Sequence, residues 1–169
     1  TKGPLKGFPI FTLTLEERAT CPASCIHWDD CYGNNMMNAT RYKADDALIQ
    51  QIESDLAHYQ AKYPEGFLVR LHVLGDFFSV DYVAAWAKWL GMFPALHVYG
   101  YTANQYDAID SNERAIGEAL LSLRLACGVR FAVRSSGSYT DSFAALSNDD
   151  NRSNALLADK QAFLCPTQI

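Results

Sequence analysis

Apolar residues recur along the chain with two different periods, which divide it into helices and strands. Spacings of three and four, as in Leu48, Ile52, Leu56 and Tyr59, are typical of one face of a helix. Short apolar or alternating runs bounded by glycine or proline are typical of strands. The predicted helices cover 44–63, 80–93, 111–125 and 153–163. The predicted strands cover 8–13, 67–74, 96–102 and 129–134.

Cap residues mark the ends of two of these helices. Ser79 is a good N-cap for the second helix, because its hydroxyl can accept a hydrogen bond from the first turn. Asp110 and Glu113 have the spacing of a capping box before the third helix. Gly128 follows the third helix and is predicted to end it.

Strands and helices alternate along the chain, which predicts a parallel sheet with right-handed crossovers. Strands of a doubly wound sheet are usually apolar on both faces, but Val69 and Leu71 alternate here with Arg70 and His72. The later strands alternate in the same way. We therefore predict a single α/β domain over 1–169, with a curved parallel sheet, helices outside and a polar concave face, as in a partial βα barrel.

Ligands of such folds bind at the carboxyl ends of the strands. Four polar segments follow predicted strands and should therefore meet at one edge of the sheet. They are the loop over 20–40, Gly75-Asp76, Thr102-Ala103-Asn104 and Ser135-Ser136.

The long polar loop after the first strand contains three of the five cysteines, in the pattern Cys21-x3-Cys25-x5-Cys31. Three thiolates on one loop can ligate three corners of an iron–sulfur cube and leave one iron open. They can also bind zinc, with His27 or Cys165 as the fourth ligand. Cys165 could instead pack behind the terminal segment over 153–169.

Composition limits the classes of binding partner and indicates the cellular compartment. The 14 basic and 19 acidic residues give a net charge of −5, which does not support a nucleic-acid partner. No apolar run reaches the ~18 residues that span a bilayer, and no signal peptide is visible at the start. Clustered cysteines then favour a metal or cluster site in a reducing cytoplasm, whereas Cys127, in an apolar setting, is predicted to pack in the core.

Several other polar residues have both a chemical and a structural interpretation. Asp76, which follows Gly75, could bind an amino group or a ribose hydroxyl, or form a turn. Tyr99 and Tyr101 could stack on an adenine or fill the interior. The arginines could clamp a carboxylate or phosphate, or form interior salt bridges with Asp76 or other acids. The histidines could act as general bases or metal ligands, or form structural hydrogen bonds inside the barrel. These residues are Arg70, Arg130, Arg134, His72 and His97.

The cysteine triplet, the Gly75-Asp76 pair and the polar end of the fourth strand together resemble the radical S-adenosylmethionine enzymes. The resemblance implies that the three cysteines hold a 4Fe–4S cluster whose open iron binds the methionyl group of S-adenosylmethionine. It also implies that Gly75-Asp76 contact the methionyl amine, and that Arg134 with Ser135 or Ser136 contacts the carboxylate or the ribose. The gap of five before the third cysteine departs from the usual Cys-x3-Cys-x2-Cys spacing.

Four segments together resemble the gene product 88 family of phages and prophages, and the resemblance covers most of the chain. The most specific segment is the Gly-Asp-Phe-Phe-Ser sequence over 75–79. Members of that family resemble a minimal radical S-adenosylmethionine core, which implies a protein of the bacterial or phage-infected cytoplasm. The four segments are 20–32, 71–79, 99–102 and 164–166.

The leading hypothesis is therefore an iron–sulfur protein of the radical S-adenosylmethionine type, with that small molecule as its cofactor. One alternative is a phage or plasmid binding module whose cysteine loop holds zinc and which performs no catalysis. A further alternative is a catalytically silent relic of the barrel that binds nucleic acid. Metal content separates the first two hypotheses.

Overall fold

The computed structural model describes residues 5–136 and two further two-residue strands. Its main sheet has four parallel strands in the order β1-β2-β3-β4. These strands are β1 (Ile10–Thr12), β2 (Phe67–Leu71), β3 (Leu96–Thr102) and β4 (Phe131–Ser135). The helices are α1 (Glu17–Thr20), α2 (Asp46–Lys62), α3 (Val80–Met92) and α4 (Ser111–Cys127). Strands β5 (Ala145–Leu146) and β6 (Phe163–Leu164) pair with each other in parallel.

Side-chain caps begin the three long helices. The Ser79 hydroxyl accepts a hydrogen bond from Tyr82 N, and Asp110 accepts from the first-turn amides of α4, so both predicted caps are confirmed. Asp45 caps α2 in the same way. Gly128 ends α4 at a φ of 52°, a left-handed value that favours glycine. No helix in the part of the chain described by the structure is long and apolar enough to cross a membrane.

Strands β3 and β4 have one buried face and one face that is exposed or half-exposed. Every second residue of β3 from Leu96 to Thr102 is buried, and the residues between them are half-buried. Val69, Val98 and Phe131 form one row across the buried face, which packs in one hydrophobic core with α2, α3 and α4. The predicted α/β sheet with one apolar face is thus confirmed, while its closure into a partial barrel of the radical S-adenosylmethionine type stays a prediction.

Aromatic side chains of α3 fill the centre of the core. Tyr82, Trp86 and Trp89 are almost fully buried, and the two indole rings meet edge to face with centroids 4.9 Å apart. Trp89 Nε1 donates a 2.8 Å hydrogen bond to Glu53 Oε2 on α2, which fixes the two helices side by side. Aromatic residues bury 150–250 Å² each, so α3 supplies a large share of the apolar surface that holds the helices on the sheet.

The structure corrects several predicted boundaries. The strand predicted over 67–74 ends at Leu71, because His72 takes a φ of 52° and turns its side chain to the buried side. The strand predicted over 129–134 begins later, because a short 3₁₀ helix covers Gly128–Arg130. The helix predicted over 153–163 lies outside the described residues, apart from its last residue, which belongs to β6.

Arg130 has a structural role and does not line the cavity. Its guanidinium donates hydrogen bonds to the carbonyls of Leu90 and Phe93 at the end of α3, at 2.7 and 2.8 Å, and to Leu96 O at 3.2 Å. A cation at a helix C-terminus satisfies carbonyls that have no intrahelical partner. Arg130 therefore ties α3 to the amino end of β3, away from the edge where the polar loops meet.

Candidate functional site

A cavity of about 1130 Å³ lies at the carboxyl ends of the four main strands. The loops that follow β1, β2, β3 and β4 all contribute to its walls, as their positions after strand ends predict. Residues lining it include Cys21, Cys25, Cys31, Gly75, Asp76, Tyr101, Thr102, Ala103 and Ser136. The cavity therefore brings together side chains that are more than a hundred residues apart in the sequence.

The three clustered cysteines are free thiols, each half-buried in the wall of the cavity. Burial, the Asp76 carboxyl and the two neighbouring cysteines raise the pKa of Cys21 to about 12. Burial likewise raises the pKa of Cys25, although the His27 backbone amide opposes the effect. Cys21 and Cys25 therefore stay protonated near neutral pH unless a cation enters the cavity and stabilises their thiolates.

Among the residues that the structure describes, no three His, Cys, Asp or Glu side chains are gathered closely enough to hold a metal ion. The proposed zinc ligand His27 lines the cavity, but its Nδ1 atom lies 3.3 Å from Asp30 Oδ1. Cys165 lies outside the described residues. Cys127 packs half-buried against the core, as predicted.

An arginine that the sequence analysis did not single out holds the cysteine loop in place. Arg41 forms a bidentate ion pair with Glu17, with Nε–Oε2 and Nη2–Oε1 distances of 2.7 and 3.0 Å. Its other donors reach the carbonyls of Gly33, Met36 and Ala39 at 3.0–3.1 Å. All five guanidinium N–H groups are thus used, and the Arg41 hydrogen bonds lower the pKa of Glu17. Nothing in the spacing of these two residues indicates that they meet.

Replacing Arg41 with glutamine should loosen the turn after Cys31, because three carbonyls and a carboxylate lose their donors together. We expect alkylation of Cys31 by iodoacetamide to accelerate about tenfold in metal-free protein, since local opening controls access to a partly buried thiol. Mass spectrometry of the modified peptides gives the rate. Arg114→Gln is the control, because the exposed Arg114 makes one 3.3 Å bond to Ala108 O. Equal rates in the two variants would contradict the role of Arg41.

Gly75 and Asp76 form the floor of the cavity. Gly75 has a φ of 84°, and a Cβ there would lie 2.6 Å from both Leu15 Cβ and Thr20 Oγ1, so no other residue fits. The buried Asp76 carboxylate accepts hydrogen bonds from Phe77 N at 2.7 Å and from Ala103 N at 2.6 Å. Asp76 N donates to Thr20 Oγ1 at 3.1 Å. The pair therefore connects the ends of β2 and β3 to the start of the cysteine loop.

Burial raises the pKa of Asp76 from 3.8 to about 6, against the lowering effect of the hydrogen bonds that it accepts. The folded state then binds the proton more tightly than the unfolded state does. The Asp76 contribution to stability is fully present below pH 4 and is lost as pH rises through about 6, by on the order of 2–3 kcal/mol.

Asp76→Asn removes this titration and leaves one backbone N–H facing an amide nitrogen. We expect the variant to be less stable than the wild type at pH 4, with a gap that narrows toward pH 7. Urea unfolding across this pH range measures the gap. A constant gap would show that Asp76 has an ordinary pKa in the folded protein.

The structure divides the other predicted site residues into two groups. Tyr101 and Ser136 line the cavity, and Ser136 N donates to Thr102 O at 2.7 Å. Tyr99, Arg134 and Ser135 are not among the lining residues. Ser135 is buried on the helix side, where its hydroxyl accepts a 3.0 Å hydrogen bond from Arg124 Nη2.

Strand alternation explains the position of Tyr99 and Arg134. Both are half-buried and lie on the face of the sheet opposite the helices. Tyr101 lies on the same face, in register with Arg134, but nearer to the carboxyl edge than Tyr99. The roles of these residues as ligand contacts stay predictions.

The described part of the chain is an α/β protein with a four-stranded parallel sheet and a thiol-lined cavity at the carboxyl edge of that sheet. The chain belongs to the gene product 88 family, whose model matches residues 2–122. Comparisons with curated proteins and with solved structures gave no significant match. The matched range includes the cysteine loop and the segments after β2 and β3, so it covers every wall of the cavity except the one formed by Ser136.

Proposed function

We propose that the protein binds a 4Fe–4S cluster through Cys21, Cys25 and Cys31 and belongs functionally with the radical S-adenosylmethionine enzymes. The observation that carries the proposal is the meeting of three free, half-buried thiols with Gly75, Asp76 and Ser136 around one cavity. These are the segments that the resemblance assigns to the cluster and to its cofactor. Their position at the carboxyl ends of parallel strands supports the proposal, because ligands of such sheets bind there.

The chemistry of the donors fits a cluster. The raised pKa values of Cys21 and Cys25 mean that the thiols need a cation to become thiolates. A cube takes one thiolate at each of its irons, so its ligands surround a volume, whereas the ligands of a single zinc ion converge within about 2.3 Å of one point. Bound in this position, such a cluster supplies the one-electron reduction of S-adenosylmethionine.

The residues of this chain would orient the cofactor and shield it from water. The negative wall of the cavity suits the sulfonium and ammonium groups of S-adenosylmethionine. Asp76 is a buried carboxylate whose charge acts on the thiols, since it helps to raise the pKa of Cys21. Tyr101 and Ser136 line the wall from β3 and β4, where they can contact the nucleoside part.

Metal analysis and an absorption spectrum of anaerobically purified full-length chain test the proposal. We expect iron and sulfide near ~4 per chain and a broad absorption near ~400 nm, as thiolate-bound iron–sulfur centres show. About one zinc per chain without iron would replace this proposal with a zinc-stabilised binding module. That module would use His27, which lines the cavity beside the thiols, and would bind its partner without catalysis.

A further inference from the structure

One row of residues across the main sheet faces away from the helices and stays accessible. The row consists of Thr12, Arg70, Tyr99 and Ala132, which are partners in register on β1, β2, β3 and β4. Thr12 and Ala132 are exposed, whereas Arg70 and Tyr99 are half-buried. Neighbouring strands lie about 4.8 Å apart, so the side chains of this Arg70 row share one small surface.

Arg70 is the one cation of this row, and its guanidinium is available to a ligand. Among the described residues it makes no hydrogen bond and no ion pair, and its nitrogens are not buried. The other arginines of the described part each have a partner, such as Glu17 for Arg41 and the α3 carbonyls for Arg130. A guanidinium that has lost part of its water without gaining a partner is well suited to bind an anion.

Tyr99 adds a second kind of donor beside Arg70. Its hydroxyl also has no hydrogen-bond partner among the described residues and is not buried. The small, exposed side chain of Ala132 on the next strand leaves room beside it. The fork of a guanidinium matches two oxygens of a carboxylate or phosphate, and a phenol can donate to a further lone pair. The two side chains therefore suit the same oxyanion.

The Arg70 row lies next to the cavity, on the side of the amino ends of the strands. Tyr101 lines the cavity and follows Tyr99 by two residues on the same face of β3. Tyr32 also lines the cavity, and its contact with Arg70 is electrostatic. Burial raises the pKa of Tyr32, and the positive charge of Arg70 opposes that effect. A molecule in the cavity can therefore extend along the open face of the sheet to Arg70.

The charge of the cavity lining determines which end of such a molecule reaches Arg70. The described lining residues include five carboxylates and no lysine or arginine. An anionic group is repelled by this lining and attracted by the guanidinium beyond it. An acidic ligand is therefore oriented with its anionic group on the Arg70 row and its remaining part toward the thiols.

We propose that Arg70 and Tyr99 bind the carboxylate or phosphate group of an anionic substrate whose remaining part enters the thiol-lined cavity. Arg70 donates two parallel hydrogen bonds to the oxyanion, and the Tyr99 hydroxyl donates a third. This inference rests on the proposed function for the reaction that follows, because it names the class of substrate. Binding of the anion itself needs only the Arg70 row.

Nuclear magnetic resonance titration of the isotope-labelled whole chain tests the site. The probes are inorganic phosphate and acetate, and chloride at equal ionic strength is the reference. We expect phosphate or acetate to cause saturable shifts of the backbone amides of Arg70, Tyr99 and Ala132, which chloride does not cause. The absence of saturable shifts in the Arg70 row would overturn the proposal, and it is the result expected if another part of the chain covers the row.

Three variants assign the donors. Arg70→Gln should abolish the saturable shifts of Tyr99 and Ala132, while its spectrum shows whether the chain is still folded. Arg70→Lys keeps the charge without the fork and should retain weaker binding. Tyr99→Phe removes one hydrogen bond and should weaken binding about two- to tenfold. The control is Arg114→Gln, which removes an exposed arginine of α4. Unchanged binding by Arg70→Gln, or an equal loss in the control, would overturn the proposal.

Calorimetry with S-adenosylmethionine distinguishes a substrate anion from the carboxylate of the proposed cofactor. We expect the wild type and Arg70→Gln to bind S-adenosylmethionine equally, because Arg70 does not line the cavity. Weaker binding by the variant would assign Arg70 to the cofactor and overturn the substrate class.

The iron content of the same samples separates this inference from the proposed function. A chain without iron that shows the Arg70-dependent shifts would support the anion site and overturn the cluster. An iron-containing chain without those shifts would overturn the anion site alone.

Discussion

Replacing Gly117 with alanine is expected to destabilise the folded protein by about 3 kcal/mol or more. Gly117 lies within α4 against the loop that follows β3. A Cβ there would lie 2.3 Å from Gln105 C and 2.4 Å from Tyr106 N. These are backbone atoms, so no side-chain rotation can relieve the overlap, and either α4 or the cavity wall must move. Thermal or urea unfolding measures the loss.

Gly91→Ala is the matched control for this prediction. Gly91 also lies in a helix, α3, but a Cβ there would meet no atom within 4 Å. Alanine favours helix over glycine by up to about 1 kcal/mol, so this variant should be slightly more stable than the wild type. A Gly117→Ala protein as stable as the Gly91→Ala protein would mean that α4 does not pack closely on the loop.

Under the proposed cluster assignment, replacing Cys25 with alanine is expected to remove the brown colour and most of the iron from anaerobically purified protein. Cys25 is the central thiol of the triplet, and a cluster held by three cysteines loses a corner when one is removed. Iron and sulfide analysis together with the absorption spectrum gives the result. Circular dichroism of the same sample shows whether the chain is still folded.

Cys127→Ala is the control for this prediction, because it removes a cysteine that is not a proposed ligand. Cys127 packs against the core at the end of α4 and is not among the residues lining the cavity. Its replacement should leave the iron content unchanged. Full iron retention in the Cys25→Ala protein would refute the ligand assignment, whereas equal loss in both variants would indicate that stability and not ligation controls the iron content.

Local patterns predicted the parts of the fold that depend on neighbouring residues. The strand over 96–102 is found as predicted, because its strict alternation reflects burial on one face of the sheet. The caps Ser79 and Asp110 act on amides two or three residues away, so their short range makes them visible in the sequence. The meeting of the loops at the carboxyl edge followed from strand polarity alone.

The structural features that the sequence did not predict depend on the three-dimensional path of the backbone. Arg41 reaches Glu17 across twenty-four positions, and no periodicity connects the two residues. His72 leaves the alternation of β2 because its φ is positive, which its residue type does not indicate. Arg130 has the sequence context of a strand residue but caps a helix that ends almost forty positions earlier.

The cysteine loop and the rest of the cavity differ in how far apart their parts lie along the chain. The three thiols fall between Cys21 and Cys31, so little chain entropy opposes bringing them together. The floor and far walls need the ends of β2, β3 and β4, which form by long-range parallel pairing and are slow to assemble. These sequence separations predict an order of folding. We expect the three thiols to come together early, and the enclosure that separates them from solvent to form last.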